Sequence, residues 1–255
     1  MVKQRHSKKK KTSKDVSEMV KEAMQMFNAG KRGQAIERLK KILKKDRENI
    51  LAYNNLGCLY VEGRYYDEAI GVLKKGIQKY PDNTVLLNNL AYACLRKGMV
   101  SRAITILEKV MKLDPADAEA RMNLGLAYSL FGNYEKAIEE YKKVISTGSS
   151  SSDAYNNLGC ALRRLGRFNE ALVAFEKSIS LDSTNVDARN NIACTYRSLN
   201  RPAAAIEEFV RIVMLFPNDK VAHYNLGILY ANNNDLEKSN QHFQKYLELK
   251  EKDEE

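Results

Sequence analysis

Residues 152–178 read SDAYNNLGCALRRLGRFNEALVAFEKS. Two adjacent asparagines, Asn156 and Asn157, stand in a stretch that otherwise favours helix. Asparagine is a mediocre helix former, because its amide competes for nearby backbone groups. Yet close variants recur as NNLGCLY at 54–60, MNLGLAY at 122–128 and YNLGILY at 224–230. Something other than helix propensity accounts for the repetition.

Working outward, Ala171 of this stretch belongs to a series: Ala35, Ala69, Ala103, Ala137, Ala171 and Ala205, each 34 residues from the next. One more step lands on another small residue, Ser239. Twelve residues before each stands Ala23, Gly57, Ala91, Gly125, Gly159, Ala193 or Gly227. Four residues after each stands a large side chain: Leu39, Leu73, Leu107, Tyr141, Phe175, Phe209 or Phe243. Pro81, Pro115 and Pro217 keep the same phase.

A 34-residue period with these small, large and proline positions resembles the tetratricopeptide repeat. Counting each alanine as repeat position 20, the repeats are expected at 16–49, 50–83, 84–117, 118–151, 152–185, 186–219 and 220–253. The resemblance implies an all-α fold, a right-handed superhelical solenoid of seven tandem helix-turn-helix repeats. Each repeat reads as two amphipathic helices, at positions 1–14 and 17–31. Gly30, Gly98, Gly132 and Gly166 follow the first helix, where a left-handed residue ends it. Asn200 and Asn234 take that place in the last two repeats, and Gly63 falls one place early in the second. Pro202 suits a helix start. No repeat buries its apolar face alone, so stacking is obligatory. The fourth repeat ends in STGSSSSD at unchanged spacing, which reads as a polar turn and not an interdomain linker.

The 255 residues carry a net charge of +10, seven of the positive charges lying within the first fourteen residues. Residues 1–15 read as a basic, disordered, solubilising tail in preference to a contact with an anionic membrane or nucleic acid. The remainder is near balance, 35 basic against 32 acidic. No apolar core follows the basic start, so no secretory leader is expected, and no apolar run of spanning length occurs. Four dispersed cysteines, Cys58, Cys94, Cys160 and Cys194, read as reduced thiols of a cytoplasmic protein. The three histidines form no suggestive spacing with Ser or Cys, so no catalytic triad, metal centre or cofactor is expected.

On the first helix, positions 4, 7, 8 and 11 face the second helix. Positions 2, 5, 6, 9, 12 and 13 lie opposite, and the family resemblance makes that side the concave groove. Position 6 is Asn55, Asn89, Asn123, Asn157, Asn191 and Asn225 in six consecutive repeats. A carboxamide both donates and accepts, so a row of them can hold an extended peptide main chain. The row resembles the asparagine ladder in the tetratricopeptide region of O-linked N-acetylglucosamine transferases. The alternative is that each amide bonds a neighbouring repeat's helix. Position 5 adds Asn54, Asn88, Asn156 and Asn190. Tyr92 lies at position 9, with Arg163 and Arg197 at position 12. Glu119, Asp153 and Asp187 make an acidic edge at position 2, and Val85, Tyr92, Leu95 and Leu126 make the N-terminal half more apolar. The Lys and Asn clamp of chaperone-tail adaptors is absent.

The expected function is a non-catalytic scaffold that binds an extended segment of a protein partner. Its alternatives are self-assembly, with a neighbour's terminal segment in the groove, and a tail-mediated contact.

Overall fold

The computed structural model describes residues 17–148 and 151–252. The expected basic tail, residues 1–15, and the last residues, 254–255, lie outside them. The described residues form fourteen helices and no strand. They fall into two compact units, one ending at Phe131 and the other starting at Gly132.

The first unit holds α1 (17–28), α2 (Arg32–Lys45), α3 (Ile50–Glu62), α4 (Tyr66–Lys79), α5 (Thr84–Arg96), α6 (Val100–Leu113) and α7 (Ala118–Phe131). The second holds α8 (Tyr134–Ser146), α9 (Ser152–Arg164), α10 (Phe168–Leu181), α11 (Val186–Ser198), α12 (Pro202–Leu215), α13 (Lys220–Asn232) and α14 (Leu236–Glu251). Within each unit every helix packs on the next in sequence, and first helices also touch first helices, α3 on α5 on α7 and α9 on α11.

Helix starts follow a rule that the period carries. Position 34 is Asn49, Asn83, Asp117, Ser151, Asn185 and Asp219. Each side chain accepts the N–H of Ala52, Leu86, Ala120, Ala154, Ala188 or Ala222, three residues on. Such a cap satisfies an orphan donor and stabilises the helix by about 1 kcal/mol. Pro202 opens α12.

Helix ends follow the expected rule with one correction. Gly30, Gly98, Gly132, Gly166, Asn200 and Asn234 all adopt positive φ. In the second repeat the left-handed residue is not Gly63, which stays helical at φ −75°, but Arg64 at φ 63°. The hairpin geometry holds the turn at position 15 whatever residue stands there, and a side chain in that conformation costs about 1–2 kcal/mol.

The core is built from the periodic positions. All six alanines at position 20 are fully buried. Ser239 replaces the seventh and donates its hydroxyl to Gly227 O at 2.8 Å. At the glycines of position 8 the helices come closest: a Cβ on Gly57 would stand 2.6 Å from Leu73, and on Gly159 2.5 Å from Phe175. Gly71, by contrast, has nothing within 4 Å of its Cβ direction. In the last hairpin α14 buries only Ser239 and Leu249, and Leu236 and Leu247 are exposed.

His223 and His242, expected as unrelated side chains, meet across this hairpin. Their Nδ1 atoms are 3.0 Å apart, and His223 Nε2 donates to Pro217 O at 3.0 Å. Tyr230 stacks on His242 with the rings 9° from parallel. Two N–H groups cannot face each other at this distance, so the two Nδ1 atoms share one proton between them. Burial, and secondly the charge of His223, push the pKa of His242 below its ordinary 6.5.

Gly159→Ala is expected to destabilise by about 1–3 kcal/mol through overpacking, and Arg64→Gly to stabilise by about 1 kcal/mol, both read from denaturant midpoints. With His242 lowered in the native state, the unfolded chain binds more protons as the pH drops. The His242 contribution to stability is complete above pH 6.5 and declines as the pH falls below that value. Melting temperatures from about pH 7.5 to 5 should fall in the wild type and fall less in His242→Gln.

Candidate functional site

The doublet that opened the sequence reading has a structural explanation. Asn89 Nδ2 donates to Asn54 Oδ1, and Asn123 Nδ2 to Asn88 Oδ1 at 2.9 Å. Asn191 Nδ2 donates to Asn156 Oδ1 at 3.0 Å and reaches Cys160 Sγ at 3.3 Å. In each case position 6 of one repeat bonds position 5 of the repeat before it, a step of 35 residues. Where the preceding position 5 is Val20 or Met122, Asn55 and Asn157 form no side-chain hydrogen bond among the described residues. The signal was present in the sequence as a pairing between adjacent repeats, and it escapes any reading of one repeat at a time.

The last pair departs. Asn225 Nδ2 donates to Val221 O at 2.8 Å, and its Oδ1 accepts from Arg197 at 2.5 Å. Asn190 donates to Asp219 Oδ1 at 3.2 Å, and its own buried Oδ1 has no partner. Asn88, Asn190 and Asn225 are buried, whereas Asn55, Asn89, Asn123, Asn156, Asn157 and Asn191 are half-buried. Of the six position-6 amides, Asn89, Asn123, Asn191 and Asn225 are therefore bonded within the protein, Asn225 being buried and the other five half-buried.

In the first unit the surface positions surround a cleft of about 370 Å³. Asn89 and Asn123 line it from position 6, Cys58 and Tyr92 from position 9, and Val61 from position 12. Glu62 and Arg96 enter from position 13 and Glu119 from position 2. Every lining residue comes from the face opposite the hairpin contact. Leu95 is buried and takes no part; Tyr92 and Val61 keep the lining largely apolar, with two carboxylates beside them. Val85 is exposed and Leu126 half-buried, neither lining the cleft.

The electrostatics are one-sided. Asn123 donates to Asn88, which donates to Glu119 Oε1 at 2.9 Å, so an amide relay aims the carboxylate. Glu119 has no cationic partner among the described residues. Glu62 has a loose one, Arg32 at 3.6 Å. Arg96, the only cation lining the cleft, is held by the hydroxyls of Tyr92 at 3.0 Å and Tyr66 at 3.4 Å and stands over both rings. Burial first, then Glu119, and more weakly Glu62, push the Cys58 thiol up, so it stays protonated.

The second unit carries different charges at the equivalent positions. Cys160, at the same repeat position, is raised mainly by burial, with Arg163 and Arg164 opposing and Asp187 adding to it. Arg163 is half-buried and has no hydrogen-bond or ion-pair partner among the described residues, while Arg197 is exposed apart from its bond to Asn225. All four cysteines are free thiols. Among the described residues no group of three or more His, Cys, Asp or Glu is placed to hold a metal, and no helix is long and apolar enough to cross a membrane.

Paired helices stacked by a fixed period, with variable residues gathered on one face, define a repeat scaffold. Tetratricopeptide repeat family models match residues 21–84, 62–110, 95–158, 152–185, 174–207 and 221–253. The chain belongs to the tetratricopeptide repeat family, and its fold is that of a protein-interaction scaffold. A tetratricopeptide repeat protein from Parabacteroides merdae is similar at 18% identity, with 92% of this chain and 93% of that one covered and a TM-score of 0.75. MamA is similar at 28% identity over 64% of this chain and 96% of its own, with a TM-score of 0.56. YrrB, described as a TPR protein with an unusual peptide-binding site, is similar at 22% identity over 69% and 91%, with a TM-score of 0.53. No curated protein matches the sequence.

Asn123→Ala leaves the buried Asn88 carbonyl oxygen without its donor. It should lower the stability of the chain by about 1–2 kcal/mol, whereas Asn157→Ala should stay within about 0.5 kcal/mol of wild type, both measured by urea denaturation.

Proposed function

We propose that the chain is a non-catalytic scaffold whose first unit holds an extended segment of a partner protein in the cleft between Glu62 and Glu119. The observation that carries this reading is the composition of the cleft: every residue lining it comes from repeat positions 2, 6, 9, 12 and 13. Asn89 and Asn123 each spend one N–H on the neighbouring repeat. Their second N–H and their carbonyl oxygen remain for a guest main chain. Main-chain bonding of this kind supplies affinity, and the pockets beside it supply preference. YrrB, which shares the fold, is described as having an unusual peptide-binding site, which supports peptide binding as a use of this fold.

The preference is for a basic side chain. Glu119 has no cationic partner, and Arg96 is already held by two tyrosines. A guest Lys or Arg would meet the free carboxylate oxygens, with its methylene stem over Val61 and Tyr92. The matching proposal for the second unit is that Asn156, Asn157, Asn191, Arg163 and Arg197 receive an acidic stretch.

The test is a labelled extended peptide with alternating Lys residues, measured by fluorescence anisotropy. Saturable binding is expected, weakened about tenfold in Glu62→Gln/Glu119→Gln. That variant removes charge and keeps shape, so its melting temperature should match wild type. Binding indifferent to the double substitution would refute the assignment.

A further inference from the structure

A second hollow lies off the groove face. It has a volume of about 870 Å³ and lies in the first unit where α2 and α4 flank α3. Its floor is apolar: Leu43, Leu56 and Val72, with the rings of Tyr53 and Tyr60. The Tyr53 hydroxyl is already committed to Arg47 O at 3.1 Å. Its rim is cationic, with Lys40, Lys44, Arg47 and Lys75 against a single acid, Glu68. Lys40 has an ion-pair partner, Glu37. The side chains of Lys44, Arg47 and Lys75 have none among the described residues.

The same place recurs along the array and provides an internal comparison. The equivalent hollow against α5 has about 490 Å³ and carries Thr105 at the repeat position of Gly71. The one against α9 has about 650 Å³, carries Val173 at that position, and balances Lys142 and Lys177 with Glu170 and Glu176. Of these three hollows, the one in the first two repeats alone combines a glycine with a rim of four cations and one acid. Gly71 stands in the interior of a helix, where alanine would be better by about 0.5–1 kcal/mol, and its Cβ direction is open space. Neither local backbone conformation nor packing asks for glycine there. Access to the hollow does.

We infer that this hollow is a second binding site, which takes an acidic peptide segment bearing one large apolar side chain. The cations meet the carboxylates, and the apolar side chain fills the space that Gly71 leaves. The cationic rim selects an anion, and the apolar floor selects one that also carries an apolar side chain, as an acidic peptide segment does. The site is independent of the groove: it lies on other helix faces and selects the opposite charge.

The test uses the full chain and two labelled probes, a short peptide of Asp and Glu around one central Phe, and the same peptide with Ser in place of Phe. Anisotropy at low salt should show saturable binding of the Phe probe, several-fold weaker binding of the Ser probe, and loss of affinity with added salt. Lys44→Glu/Lys75→Glu should weaken the Phe probe at least about tenfold. Gly71→Phe fills the hollow without changing charge and should do the same. Glu62→Gln/Glu119→Gln should leave it unchanged. If the reversal variant lost its helical circular dichroism, Lys44→Gln/Lys75→Gln would replace it, with the same direction expected. No saturable binding, equal binding of the two probes, or indifference to Gly71→Phe would overturn the inference. Tighter binding of a DNA duplex or of phosphatidylserine vesicles, lost in the same variants, would overturn it too.

Discussion

Within the units, hairpins close where a glycine meets a large side chain sixteen positions later, as at Gly57, Gly159 and Gly227. At Gly159 the ring of Phe175 lies where a Cβ would be, and at Gly57 the Leu73 side chain does the same. This close approach sets the spacing of the two helices, and the spacing dictates which residues are left facing outward. The six fully buried alanines let the partner helix come equally near from the other side. Remove the contact and the helices separate, the caps lose their register and the outward face loses its alignment. Interiors packed to crystal-like density respond to single methyl groups in this way.

Much of this was legible in the sequence because the contact repeats. Ala35 through Ala205 at a constant interval identified the hairpin, and Gly166 or Asn200 at a constant offset marked the turn. The faces were legible too, since helical geometry follows from residue number alone. The cleft of the first unit is lined wholly by positions assigned to the outward side. What could not be read was the partner of each side chain. The asparagines were expected as a row for a guest main chain, with a bond to the neighbouring repeat as the alternative, and Asn123 and Asn191 make that bond. A period shows that residues are equivalent. It does not show that position 6 of one hairpin lies beside position 5 of another, because that depends on the stagger between hairpins.

Two smaller departures have the same root. Gly63 looked like a displaced turn glycine, but the hairpin fixes the left-handed position and Arg64 occupies it. His223 and His242 are nineteen residues apart in sequence and on different helices, and only the closed hairpin brings their ring nitrogens into contact. In each case tertiary geometry overrode a local residue preference.

The amide bonds step by 35 residues on a lattice of 34, so every such bond ties one hairpin to its predecessor by a single-residue offset. That offset constrains how an array of this kind can change its length over generations. Duplicating or deleting a stretch of whole periods restores an asparagine opposite an asparagine. A gain or loss of any other size shears the pairing and buries a carbonyl oxygen without a donor. The junction where the predecessor offers Val20 lacks this lock, and a change of any length there leaves no amide carbonyl without its donor.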